Sequence, residues 1–123
     1  MPTLIDAVLA HDIVMDASGI KSMVNRIVDR EEFVVPVPSE CPVKLGLIFT
    51  AEPDTIFDIS VEVRSHLGKP LYFDSGKMGT PAGGRGEFAL AIPVPVLDVG
   101  PCVISLRFDG TEVWSQRLFF ALG

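Results

Sequence analysis

Two cysteines, two histidines, one tryptophan and one tyrosine are all that this chain of 123 residues holds of those four types. Each scarcity excludes something. Cys41 and Cys102 are too few for the disulfide framework of a small secreted domain, so two free, buried thiols are expected, with a single bridge left open geometrically. His11 and His66 offer little from which to build a zinc site or a nucleophile-base dyad. None of the eight serines lies in a Gly-x-Ser-x-Gly elbow. No apolar run approaches the roughly 20 residues that span a bilayer, and the first segment lacks a basic leader ahead of an apolar core. Neither a membrane span nor a secretory signal is expected, and the expected location is the cytoplasm. Helical periodicity is missing too, since no stretch keeps a 3.6-residue repeat for three turns without Pro, Gly or β-branched interruption.

Positive charge is also short. Ten Lys and Arg stand against sixteen Asp and Glu, a formal net charge of −6. Binding to a phosphate backbone is driven by cations that release counterions, so nucleic acid is an unexpected partner. The basic residues, from Lys21 to Arg117, are moreover scattered along the chain. Hydrophobic residues reach 48% and the mean hydropathy is +0.41, which makes the chain globular and leaves more apolar surface than one small core needs. That surplus points to self-association. At this length one domain, residues 1–123, is expected.

What the chain does have is alternation. Phe57, Ile59, Val61 and Val63 interleave with Asp58, Ser60, Glu62 and Arg64, and Cys102, Ile104, Leu106 and Phe108 lead to an Asp109-Gly110 turn. A period of two sends apolar side chains to one face of a strand and polar ones to the other, the pattern of antiparallel sheets that bury one face against each other. Strands are expected at 3–10 continued by 12–16, at 20–28, 43–51, 55–65 and 71–73, then from 87 to about 94, at 102–108 and at 112–122, while Phe33-Val34-Val35 and the prolines at 36, 38 and 42 read as an edge or an extended crossing between sheets. The strands at 43–51 and 55–65 should pair as a hairpin across Glu52-Pro53-Asp54. In the last hairpin, a three-residue loop with Gly110 left-handed would pair even positions with even and bury Trp114, Leu118 and Phe120. Ser75 to Gly86, with five glycines and a proline, reads as a long mobile loop. Pro93 and Pro95 should cap the strand before it ends.

Candidate sites are sparse. In the Gly-rich segment, Lys77 and Arg85 flank glycines whose N–H groups could cradle an anion, although the P-loop spacing and its helix are absent. Asp6, Asp12 and Asp16 share strand parity and read as a solvated face rather than a cation site, so no metal and no cofactor is expected. Tyr72 and Phe119 point away from their apolar neighbours and suggest a contact surface. Both thiols read as small apolar fillers.

The segments Leu4-Ile5-Asp6-Ala7-Val8-Leu9-Ala10-His11-Asp12 and Ser18-Gly19-Ile20-Lys21-Ser22-Met23-Val24-Asn25-Arg26-Ile27 resemble a family of short bacterial and phage-borne β-sandwich proteins of unknown function. The shared pattern is an apolar strand ending in a polar pair, then a Gly-Lys turn, with Ile20 inserted between Gly19 and Lys21 here. Gly100 to Phe120 is similar to the last hairpin of immunoglobulin-like sandwiches, with Cys102 where an aromatic is usual. The resemblance implies an all-β, immunoglobulin-like antiparallel sandwich of seven to nine strands and carries no catalytic residues. Together these readings give a non-enzymatic interaction or structural module that self-associates, its partner a second copy or another protein. The alternative is small-ligand or anion binding at 76–86.

Overall fold

Alternation becomes architecture in the computed structural model, which describes residues 2–123. Nine strands form it: β1 (Thr3–Asp16), β2 (Gly19–Ile27), β3 (Glu31–Val35), β4 (Ser39–Thr50), β5 (Ile56–Ser65), β6 (Pro70–Gly79), β7 (Arg85–Val96), β8 (Gly100–Phe108) and β9 (Thr111–Leu122). No helix occurs among the described residues. One sheet runs β2-β1-β4-β7 and the other β3-β9-β8-β5-β6. Every pairing is antiparallel except that of β3 with β9. The protein is thus an all-β sandwich of nine strands.

The core lies between the two apolar faces. Val43, Leu45, Leu47 and Phe49 of β4 meet Phe57, Ile59, Val61 and Val63 of β5, with Ile104, Leu106 and Phe108 of β8 beside them, all buried. Phe49, Phe57 and Phe108 contact edge to face, with ring centroids 5.0 to 6.3 Å apart, a geometry that suits the ring quadrupoles. Cys41 and Cys102 are both free and buried. Burial pushes the Cys102 thiol up to about 11, so it stays protonated and unreactive near neutrality.

Several expected pairings differ. β4 and β5 form no hairpin, because the chain changes sheets between them. β4 pairs with β1 and β7, and β5 with β6 and β8. The crossing is held from outside: Ala51 N–H donates to Gly84 O, Asp54 N–H to Thr80 O and Thr80 N–H to Thr55 O. The near-continuous apolar character of 43–51, interrupted at Lys44 and Thr50, also has a cause. Residues 12–24 of the first hairpin extend beyond the stretch of β1 that pairs with β4, and they lie over the outer face of that sheet. A Cβ at Gly46 would lie 2.8 Å from Ile13 Cδ1 and 3.2 Å from Ile20 Cδ1. The carboxylate of Glu87 accepts the Ile20 N–H across this face at 3.3 Å.

The Gly-rich stretch is mostly strand. β6 continues to Gly79, and only 80–84 connect it to β7. Gly76 and Gly79 have open space where a side chain would be, as an edge strand permits. Gly86 instead yields to the Phe49 ring, whose Cζ would stand 2.5 Å from a Cβ there. Pro93 and Pro95 lie inside β7 rather than at its end, tolerated because β7 is a sheet edge. The last hairpin keeps the expected parity by another route. Its loop has two residues, Asp109 and Gly110, both with positive φ, and Phe108 pairs with Thr111. Arg107 then pairs with Glu112 and Leu106 with Trp114, which makes Val113 a bulge. Trp114 packs partly buried against the core.

Candidate nucleic-acid interface

The residues singled out from sequence do not converge. Lys77 lies in β6 and is held by Asp58, while Arg85 opens β7 in the other sheet and pairs with Glu87 at 3.7 Å. Strand parity sends the two cations to opposite outer faces, so they frame no common loop. Tyr72 corrects its expected role as well. It pairs with Val63, shares the inward parity of the core and packs partly buried against it, and burial raises its phenol pKa. Phe119 does face outward, partly buried, opposite Pro101. The carboxylates of the first strand disperse: Asp12 pairs with Lys44 at 2.9 Å and Asp16 with Lys21 at 3.7 Å. No group of three metal-binding side chains forms among the described residues. His11 stacks edge-on against Phe33, with centroids 5.6 Å apart.

What the register does bring together is a set of arginines distant in sequence. Arg64 of β5 pairs with Val103 of β8, and Val103 pairs with Arg117 of β9. Because Val63 and Ile104 face the core, this row faces outward. Strands lie about 4.8 Å apart, so the two arginine backbones stand roughly 10 Å from each other. Two rows further along β8 is Arg107, opposite Ser60. Between them lies the row Glu62, Ser105 and Ser115.

Glu62 is the pivot of this face. It is only 9% exposed, and its carboxylate takes a two-pronged bond from Arg64, at 2.7 Å to Nε and 3.2 Å to Nη2. Arg107 Nη1 approaches the same carboxylate at 3.6 Å. The Arg64 guanidinium holds the Glu62 carboxyl below the usual carboxylate range, with Arg107 contributing. Arg64 in turn is raised by that bond, and its remaining nitrogen donates to Gly68 O at 2.9 Å. One carboxylate thus orients two guanidinium groups and neutralises only one. Arg117 is exposed and enters no ion pair among the described residues. Its backbone is pinned by the segment leading into β3, with its N–H donating to Asp29 at 2.8 Å and its carbonyl accepting from Arg30 N–H at 2.7 Å. Phe73, 59% exposed, stands at the border of the face opposite Glu62.

Sequence reasoning missed this face because 64, 107 and 117 are far apart along the chain. The available signal was that Arg64 and Arg107 occupy the polar positions of the two most regular strands.

An all-β sandwich of two packed sheets is the class that the fold defines. No family model matches the chain, and no curated protein matches its sequence. Among solved structures the chain is similar to the Pseudomonas fluorescens alkylpurine DNA glycosylase AlkC bound to DNA containing an abasic site analog. The likeness has a TM-score of 0.50 at 11% identity and covers 71% of this chain. The chain spans 27% of the length of that protein. This neighbour overturns the expectation of a self-associating interaction or structural module, since the similar architecture is found within a DNA-bound repair enzyme. The alternative, anion binding at 76–86, loses its loop to β6 and its two cations to separate faces.

Proposed function

We propose that this sandwich is a DNA-contacting domain that meets the phosphate backbone with the outer face of β5, β8 and β9. The observation that carries the reading is the outward row Arg64, Val103, Arg117, with Arg107 oriented beside it by Glu62. Guanidinium groups match phosphate oxygens through paired N–H donors, and the exposed Ser115 hydroxyl between them adds a shorter-range contact. The similarity to a domain-sized part of a DNA-bound glycosylase supports DNA as the polymer. The proposed role is to hold or orient DNA for a catalytic unit elsewhere, and the reading asks no bond-making step of these residues. Free thiols at Cys41 and Cys102 fit a reducing, cytoplasmic setting.

The net charge of −6 sets the strength of the contact. Most of the surface repels DNA, which confines binding to this face. With Arg64 neutralised by Glu62, Arg107 and Arg117 imply release of about two counterions, hence a slope near −2 in log affinity against log salt. Fluorescence anisotropy of a labelled duplex at low salt tests this. Weak, steeply salt-dependent binding is expected. Arg117→Ala should weaken it and reduce the slope by about one, and Glu62→Gln, which frees a guanidinium, should tighten it. No binding at low salt, or an Arg117→Ala protein that binds as the wild type does, would refute the reading.

A further inference from the structure

We infer that the pocket at one end of the sandwich, between the β5–β6 and β7–β8 turns, binds a small zwitterion with an apolar side chain, a free aromatic or branched-chain amino acid being the simplest case. This does not depend on the DNA reading. The pocket holds about 230 Å³ and its lining includes Val96, Cys102 and Phe120, all three at most 5% exposed. That is room for one apolar side chain rather than a drug-sized ligand. With its thiol protonated, Cys102 serves here as apolar wall.

Both charge signs stand at the mouth. Lys69 and His66 belong to the β5–β6 turn and Asp98 to the β7–β8 turn, and all three line the pocket. Lys69 and Asp98 enter no ion pair among the described residues. An anion alone would meet Asp98 and an amine alone would meet Lys69, whereas a zwitterion satisfies both. Charge complementarity therefore selects the occupant.

The mouth is also formed in advance. Ser65 Oγ accepts the N–H of Leu67 at 3.3 Å and of Lys69 at 3.1 Å. Ser65 N–H donates to Lys69 O at 2.9 Å, and Gly68 N–H to Ser65 O at 2.9 Å. On the opposite turn the Asp98 carboxylate accepts the Val99 N–H at 2.8 Å. His66 rests where a side chain at residue 100 would be: a Cβ there would lie 3.2 Å from His66 Nδ1, and Gly100 has φ +115°. Glycine at that position leaves room for the imidazole on the rim. Rigid walls reduce the ordering cost of binding a small ligand.

Titration of ¹⁵N-labelled protein with L-phenylalanine, N-acetyl-L-phenylalanine and L-phenylalanine amide tests the inference. Saturable amide shifts confined to residues 65–71, 96–102 and 120 are expected with L-phenylalanine. Both blocked analogues should bind about tenfold more weakly, the loss expected when one charged contact goes. Lys69→Gln and Asp98→Asn change exposed side chains and should each weaken L-phenylalanine by a similar factor, with the rest of the spectrum unchanged. No saturable shifts with L-phenylalanine or L-leucine at millimolar concentration would overturn the proposal. So would equal binding of the blocked analogues.

Discussion

Glu62 shows how much one side chain can organise. Its place in the alternation of β5 marks it as solvent-facing, yet it is nearly buried because Arg64 and Arg107 close over it. Its folded pKa lies below the ordinary value, chiefly through the Arg64 bond. The carboxylate therefore adds stability that is fully present above the unfolded-state pKa and is lost as pH falls through the lowered folded value. Removing the charge should remove that dependence. Urea unfolding of Glu62→Gln between neutral pH and the acid range below 4.5 is expected to show a flatter loss of stability than the wild type. Parallel acid limbs for the two proteins would mean that the pair does not act on folding.

Among the strands, glycine has opposite meanings in β6 and β7. Gly86 admits the Phe49 ring into the ladder between β4 and β7, whereas Gly76 borders open space on β6. Gly86→Ala should cost about 1–3 kcal/mol, the range for overpacking a filled core. Gly76→Ala should cost far less. Equal midpoints for the two in urea would contradict this account of β7. The same pair explains what was legible in the chain. Alternation in 57–63 and 102–108 fixes which faces are buried, and the two facing sheets follow from it. Parity does not name strand partners, so the change of sheet between β4 and β5 was hidden. Glycines at 76 and 79 hid β6, since an edge strand tolerates residues that a central strand would not. The arginine face was illegible for a related reason: its members meet only through the registers of β5 with β8 and of β8 with β9.

At the scale of the whole molecule, an acidic sandwich concentrates oriented arginines on one face of its five-stranded sheet and keeps an apolar pocket with a charged rim at one end. The two features share the β5–β6 turn, since Arg64 donates to Gly68 O and Lys69 lines the pocket. Carboxylates share this face, Glu112 opposite Arg107 and Asp58 with Lys77, so the exposed Arg117 is the cation through which a polyanion would first be oriented. The most direct measurement is a ¹⁵N amide map of the protein titrated with a short DNA duplex at low salt. The account predicts shifts clustered at Ser60, Arg64, Val103, Ser105, Arg107, Ser115 and Arg117, which vanish as salt is raised. Shifts centred on the β1–β2 hairpin, or none at all, would contradict it.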